Sequence, residues 1–209
     1  MPDKATDGVL DAGYADDRQT KRAPRYRLWR RTVEVCRAFE AYGPKPLGDI
    51  LDLGCADGRM LKSISDRFPA ARCAGVEYSG DLVGVSRSLF PDIEVTQGDI
   101  QALAFPEASF DAVSAAAVIE HVPDPAEAVA EAARVLRPGG VFVMTSPSPF
   151  WESVATRVGH LKDDQHNQVM DIAELCRLVE EAGLEVAEAQ RFMLSPVGMP
   201  LEFAVEKVL

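Results

Sequence analysis

From residue 49 onward, short apolar runs alternate with segments whose apolar residues recur at helical spacing. The runs cover 50–53, 73–76, 93–95, 110–113 and 141–144, and their starts lie 17–31 residues apart. That is the rhythm of strand–helix–strand units in a parallel sheet. Between the first two runs, Leu61, Ile64 and Phe68 fall at i, i+3, i+7 and form one apolar stripe. Asp124-Pro125-Ala126-Glu127 reads as a capping box with proline at the first helical position. Val129, Ala133 and Leu136 supply the inner face of that helix, and Pro138-Gly139-Gly140 ends it. Asp171 and Glu174 repeat the capping arrangement ahead of Leu175, Leu178 and Val179, and Gly183 stops the helix. The expected fold is α/β: a doubly wound, mostly parallel sheet with helices on both faces, in one domain across 1–209. In such a sheet ligands sit beyond the carboxyl ends of the strands, where the strand order reverses.

Two segments stand outside the alternation. Residues 14–41 form a basic, amphipathic stretch with Arg18, Lys21, Arg22, Arg25, Arg27, Arg30, Arg31 and Arg37. It reads either as a helical lid that meets an anionic substrate or as a solvated face bracing an acidic body. Residues 147–168 form a long connection rich in Pro, His and Asp, and long connections in compact domains tend to be functional. Near the C-terminus, Leu201, Phe203 and Val205 alternate like a strand, while Leu201, Ala204, Val205 and Val208 also fit a helix.

Charge sharpens the picture. Residues 1–48 carry a net +3 and residues 49–209 a net −14, giving the overall −11. An acidic body is poor footing for a phosphate backbone, which argues against nucleic acid as the partner. No apolar stretch is long enough to cross a membrane, and the N-terminus lacks a signal-peptide layout. Cys36, Cys55, Cys73 and Cys176 form no Cys-x-x-Cys pair, as expected of reduced, structural thiols in a cytoplasmic protein.

The stretch from Ile50 to Arg59 is a strand running into a small-residue turn and then a helix. Gly54 and Gly58 permit a tight turn and close backbone approach, so main-chain groups and a helix start face a ligand. Gly54-x-Ala56-x-Gly58 departs from the G-x-G-x-x-G of dinucleotide loops, which argues against a bound pyrophosphate. Glu77 ends the second run, 23 positions after Gly54, where a carboxylate can accept both hydroxyls of a ribose. After the third run come Asp99, a partner for an exocyclic amine, and Ile100, a cover for an adenine face.

In the order and spacing of these motifs, residues 48–146 resemble a class I S-adenosylmethionine-dependent methyltransferase, of the small-molecule type grouped as methyltransferase type 11. The resemblance implies a Rossmann-like methyltransferase fold, S-adenosylmethionine as cofactor and S-adenosylhomocysteine as product. It assigns Asp52, Gly54, Cys55, Ala56 and Gly58 to the methionine part of the cofactor, with Gly54 near its amino group. Glu77 would hold the ribose, Tyr78 would lie along the adenosine, Asp99 and Ile100 would select adenine, and Ala116 would line the pocket near the sulfonium. Ala56 is a departure, since glycine is more usual there. Residues 48–146 would be the cofactor-binding core, 147–168 a substrate-side loop, and 169–209 a C-terminal helix and strand. Family members end with an antiparallel strand after the one expected at 184–191; a helical 201–209 would remove it.

Methyl transfer from a sulfonium is an in-line displacement, and a base is needed only where the acceptor holds its proton at neutral pH. His121, in Glu120-His121 beyond the fourth run, is the candidate general base; its bland alternative is a histidine hydrogen-bonded in a turn. His166 is a candidate substrate contact, against a solvated loop residue. Related quinone O-methyltransferases carry an E-x-x-E-H metal constellation; here its first position is Ala117, so no catalytic metal is expected. The expected substrate is a small-molecule acceptor, anionic if the basic stretch is a lid, with oxygen ahead of nitrogen or carbon. Two rivals stand: a non-catalytic nucleoside-binding protein, and a nicotinamide-dependent oxidoreductase, which the glycine spacing disfavours. The sequence leaves oligomeric state open.

Overall fold

The computed structural model describes residues 20–147, 170–193 and 204–208. In chain order its elements are helix α1 (Arg22–Tyr42), β1 (Asp49–Leu53), α2 (Arg59–Arg67), β2 (Arg72–Glu77), α3 (Gly80–Leu89), β3 (Glu94–Gln97) and β4 (Phe110–Ala116). A short 3-10 turn (Ile119–His121), α4 (Pro125–Val135), β5 (Leu136–Pro147), α5 (Ile172–Glu181), β6 (Ala189–Met193) and β7 (Ala204–Val208) follow.

All seven strands join one sheet in the order β3-β2-β1-β4-β5-β7-β6. Strands β1 to β5 pair in parallel, and β7 inserts antiparallel between β5 and β6. The order reverses between β1 and β4, so the crevice for a ligand lies above that pair. Residues 204–208 are a strand, which settles the strand-or-helix ambiguity in that stretch; the closing antiparallel strand is present, while Leu201 and Phe203 lie outside the described residues. The strand before it begins at Ala189, later than the expected 184.

Helices cover both faces. On one, α1, α2 and α3 pack Val35, Phe39, Leu61, Ile64 and Val83 against Ile50, Ala112, Val141 and Val143. On the other, α4 and α5 pack Val129, Val135, Leu175 and Val179 against Leu51, Leu53, Val113, Phe142 and Met144. Alternation along each strand therefore sends successive side chains into two different apolar layers, which is why these runs are mostly apolar, with Asp52 and Asp111 as the acidic exceptions.

Helix starts show how local chemistry sets boundaries. Asp171 and Glu174 close a full capping box on α5, with Asp171 N donating to Glu174 Oε2 at 2.9 Å. At α4, Asp124 Oδ1 accepts from Ala126 N and Glu127 N, but the reciprocal half is missing because Asp124 N donates to Gln101 Oε1 at 2.7 Å. The cap is real; the box is replaced by a tie to the loop after β3.

The amino-terminal edge of the sheet is stitched by charge. Asp111 on β4 accepts from Gly48 N and Asp49 N through Oδ2, and from Arg137 Nη1 through Oδ1 at 2.9 Å. Arg137 also pairs with Asp49 Oδ2. The basic N-terminal stretch divides in two. The C-terminal half of α1 is core, with Val35, Ala38 and Phe39 at most 1% exposed. Arg37 Nη2 and Tyr42 Oη further bind it to Glu188, just before β6, at 2.8 and 2.9 Å.

Candidate active site

The loop from β1 to α2 is built on left-handed backbone: Gly54 has φ +66°, Ala56 φ +50° and Gly58 φ +76°. Gly54 N and Cys55 N both donate to Val76 O on β2, and Gly58 N donates to Cys55 O. A Cβ at Gly54 would stand 2.3 Å from Val118 Cγ2, so only glycine allows the turn after β4 to close on this loop. Gly54 thus sits where the β1 and β4 ends meet, above the reversal of strand order.

Glu77, at the carboxyl end of β2 and 8% exposed, anchors the loop from beside it. Its Oε2 accepts from Ala56 N at 2.9 Å and its Oε1 from Ser79 N at 2.8 Å. A carboxylate offers about four acceptor positions, so each oxygen retains capacity for a further donor. Tyr78 beside it is 50% exposed. Gly98 N donates to Glu77 O at 3.0 Å, which brings the turn after β3 to the same edge. In that turn Asp99, half-buried, accepts from Gln101 N through Oδ1 at 2.9 Å.

Beneath the loop lies Asp52, with no exposed surface; its Oδ1 accepts from Ser114 Oγ on β4 at 2.7 Å. Ala116, half-buried, ends β4 and precedes Ala117, which has φ +56° and donates its N–H to Thr145 O. The 3-10 turn then carries Glu120, with no exposed surface, and half-buried His121, whose N–H donates to Val118 O.

The structure brings Gly54, Ala56, Glu77 and Tyr78 together at the carboxyl ends of β1 and β2, with Asp52 buried beneath them and Gly58 packed against Ser86 and Ile93; Asp99 follows β3, and Ala116 and His121 lie at and beyond the end of β4. Two expected residues sit differently. The Cys55 side chain turns away into the apolar layer under α2, against Gly75, and both of its backbone groups are already bonded. Burial, with the Asp52 and Glu77 carboxylates nearby, pushes its thiol well above the ordinary range. Ile100 is 4% exposed and belongs to the apolar layer with Leu53 and Ala74. His166 lies outside the described residues. Among the described residues no group of three or more His, Cys, Asp or Glu is arranged to hold a metal ion. Ser79, Ser114 and Thr145 belong to none of the sequence motifs. Ser114 and Thr145 are hydroxyls set among the apolar residues of β4 and β5, a pattern that does not by itself separate a packing role from a ligand contact.

The crevice fits the nucleoside and amino-acid ends of S-adenosylmethionine. A buried carboxylate with spare acceptor positions is bonded to a glycine turn whose Cβ space is already filled, a donor set suited to ribose hydroxyls. Comparisons with known proteins agree. A sequence model described as Methyltransferase domain matches residues 21–189, and the chain belongs to this family, whose cofactor is S-adenosylmethionine. The chain is 36% identical over 140 residues, 67% of its length, to a protein of Mycolicibacterium smegmatis named as a probable S-adenosylmethionine-dependent methyltransferase. It is 37% identical over 110 residues, 51% of its length, to trans-aconitate 2-methyltransferase of Azoarcus sp.. The matches take in 53% and 43% of those two proteins, so the chain spans about half the length of these relatives.

Solved structures share the fold. A complex between the Haloferax volcanii Trm112 methyltransferase activator and a methyltransferase matches with TM-score 0.74, 22% identity, and 96% and 98% of the two chains covered. A SAM-dependent methyltransferase from Methanosarcina mazei matches with TM-score 0.66, 17% identity, and 81% and 94% covered. No helix among the described residues is long and apolar enough to cross a membrane.

Proposed function

We propose that the chain transfers the methyl group of S-adenosylmethionine to a carboxylate oxygen of a small anionic acceptor. The observation that carries the methyltransferase reading is Glu77: a buried carboxylate fixed by Ala56 N and Ser79 N at the end of β2, beside the Gly54 turn. Two observations support the choice of acceptor. The Azoarcus relative is named for trans-aconitate, a polycarboxylate. Arg27 and Arg31 lie on one stripe of α1 with Glu34 and Ala38, which are 5% and 0% exposed; both arginines are half-buried. Because α1 runs down to β1, its N-terminal half stands at the carboxyl ends of the strands, where an anion would meet these guanidinium groups.

When bound, S-adenosylmethionine supplies an electrophilic methyl carbon on a sulfonium with a good leaving group. The chain's own work is alignment. In this reading Glu77 accepts the ribose hydroxyls and fixes the turn through Ala56. The Gly54–Val118 contact sets the gap between the cofactor side and the acceptor side, and Asp99 meets the adenine edge. An acceptor oxygen then forms its bond to the methyl carbon as the carbon–sulfur bond breaks, leaving a methyl ester and S-adenosylhomocysteine. A carboxylate has a pKa near 4 and is already ionised at neutral pH, so no proton has to leave. His121 is then a positioning donor, and becomes a base only for a hydroxyl acceptor.

The test is mass-spectrometric detection of S-adenosylhomocysteine and methyl ester with trans-aconitate, other di- and tricarboxylates, and matched phenols and amines. Turnover confined to the carboxylates supports the reading. Turnover on phenols or amines alone overturns the acceptor class.

A further inference from the structure

The carboxyl end of β5 carries a buried hydroxyl that nothing among the described residues bonds. Thr145 is 1% exposed, and its Oγ1 has no hydrogen-bond partner among the described residues. An unmade hydrogen bond on a buried hydroxyl costs about 1–3 kcal/mol, so such groups are rare without a ligand or function.

Its position follows from the strand pairing. Val141 and Val143 pack in the layer beneath α1, while Phe142 and Met144 pack in the layer beneath α4 and α5. Alternation puts Thr145 on the α1 side, and puts Ser146, whose hydroxyl also has no partner among the described residues, on the other. Asp52, Ser114 and Ala116 share the α1 side, because Ile50, Ala112 and Ala116 belong to that layer. Val143 is in register with Ser114, and Thr145 with Ala116. Thr145 therefore stands one step above the Asp52–Ser114 bond, roughly 6.6 Å toward the carboxyl edge, directly beside Ala116. Since β4 separates β5 from β1, Thr145 is about 10 Å sideways from the turn that takes the cofactor's methionine end. It is on the α1 face of the sheet, away from the Gly54 turn.

We propose that the Thr145 hydroxyl is a positioning residue for methyl transfer: it donates to the acceptor's carboxylate and holds its oxygen in line with the methyl carbon. This rests on the methyltransferase reading above. The guanidinium groups attract the anion, and the single short hydroxyl fixes which oxygen points at the methyl group.

Thr145→Val keeps the shape and removes the hydroxyl; Thr145→Ser restores it. Three quantities are measured on wild type and both variants: melting temperature without ligand, S-adenosylhomocysteine affinity by calorimetry, and kcat and KM for trans-aconitate. The expected result is a Thr145→Val protein that melts no lower than wild type and keeps its S-adenosylhomocysteine affinity. Its KM rises roughly tenfold or more, the worth of one hydrogen bond to a charged group, and Thr145→Ser recovers most of it. A lower melting temperature makes the hydroxyl structural and overturns the proposal. A tenfold loss of S-adenosylhomocysteine affinity makes it a cofactor contact and also overturns it, as does an unchanged KM. If wild type does not turn over trans-aconitate, the three proteins are compared with methyl-labelled cofactor on the small-molecule fraction of a cell extract. Equal labelling by wild type and Thr145→Val overturns this proposal alone. No labelling by wild type takes down the methyltransferase reading and this proposal together.

Discussion

Ser114 Oγ donates to Asp52 Oδ1 across 2.7 Å, and neither residue has any exposed surface. The bond ties β4 to β1 at the strand-order reversal, immediately below the crevice. Ser114→Ala removes the donor and leaves the carboxylate buried, so it is expected to destabilise the fold by ~1.5–3 kcal/mol. Urea unfolding of the variant checks this. An unchanged midpoint would show that Asp52 is satisfied without Ser114.

Gly54 is held open by two separate demands, a left-handed backbone and the nearness of Val118. Gly54→Ala is expected to lose roughly 1–2 kcal/mol to the backbone alone, plus the clash at 2.3 Å. Adding Val118→Gly removes both the Cγ2 at 2.3 Å and the Cβ at 2.8 Å and leaves the backbone cost. The double variant should therefore recover part of both stability and S-adenosylhomocysteine affinity. A double variant no better than Gly54→Ala would show that the Val118 contact does not govern the turn.

Asp111 sets an acid limit on stability. Burial opposes its ionisation, but the Arg137 guanidinium and the N–H groups of Asp49 and Gly48 outweigh burial and hold its carboxyl below the usual range. A depressed folded-state pKa means the unfolded chain takes up the proton first. The stabilisation is complete above about pH 4 and disappears as pH falls further. Glu131 shifts the same way, chiefly through Arg134, with the N–H of Leu103 adding and burial opposing. Asp111→Asn should melt lower than wild type at pH 7 and lose less on acidification from pH 5 to pH 3. Parallel pH curves for the two proteins would contradict this.

His121 separates two chemistries. With a carboxylate acceptor, His121→Ala is expected to slow kcat less than tenfold, and kcat should not fall as pH drops through the ordinary histidine range near 6.5. A loss of 10²-fold or more, with a wild-type kcat that falls below that pH, would make His121 a general base.

Much of this was legible in the sequence, because a strand buried on both faces is apolar at most positions. Expected strands at 50–53 and 73–76 became Asp49–Leu53 and Arg72–Glu77. The apolar run 93–95 places Ile93 in a strand, but it sits in the turn before β3, its side chain filling the space beside Gly58. Leu136 was read as helix, yet it opens β5, because Val135 is the last residue α4 can pack before the chain turns to pair with Phe110. The Gly54 turn and Glu77 stood out because glycine and an acid at those spacings have few other uses. Thr145 and Ser114 did not, since one hydroxyl in an apolar strand looks the same whether it meets a neighbour or a ligand. The core role of α1 was hidden by its arginines, which occupy the sides of a helix whose buried stripe is Val35, Ala38 and Phe39.

The most direct test of the account is calorimetric titration of S-adenosylhomocysteine into wild type and Glu77→Ala, with NADH as the control. The account predicts micromolar binding to wild type, no binding of NADH, and a loss of roughly ten- to a hundredfold in Glu77→Ala, the worth of ~1.5–3 kcal/mol. Equal affinity in the variant would remove Glu77 from the cofactor site, and binding of NADH alone would contradict the account as a whole.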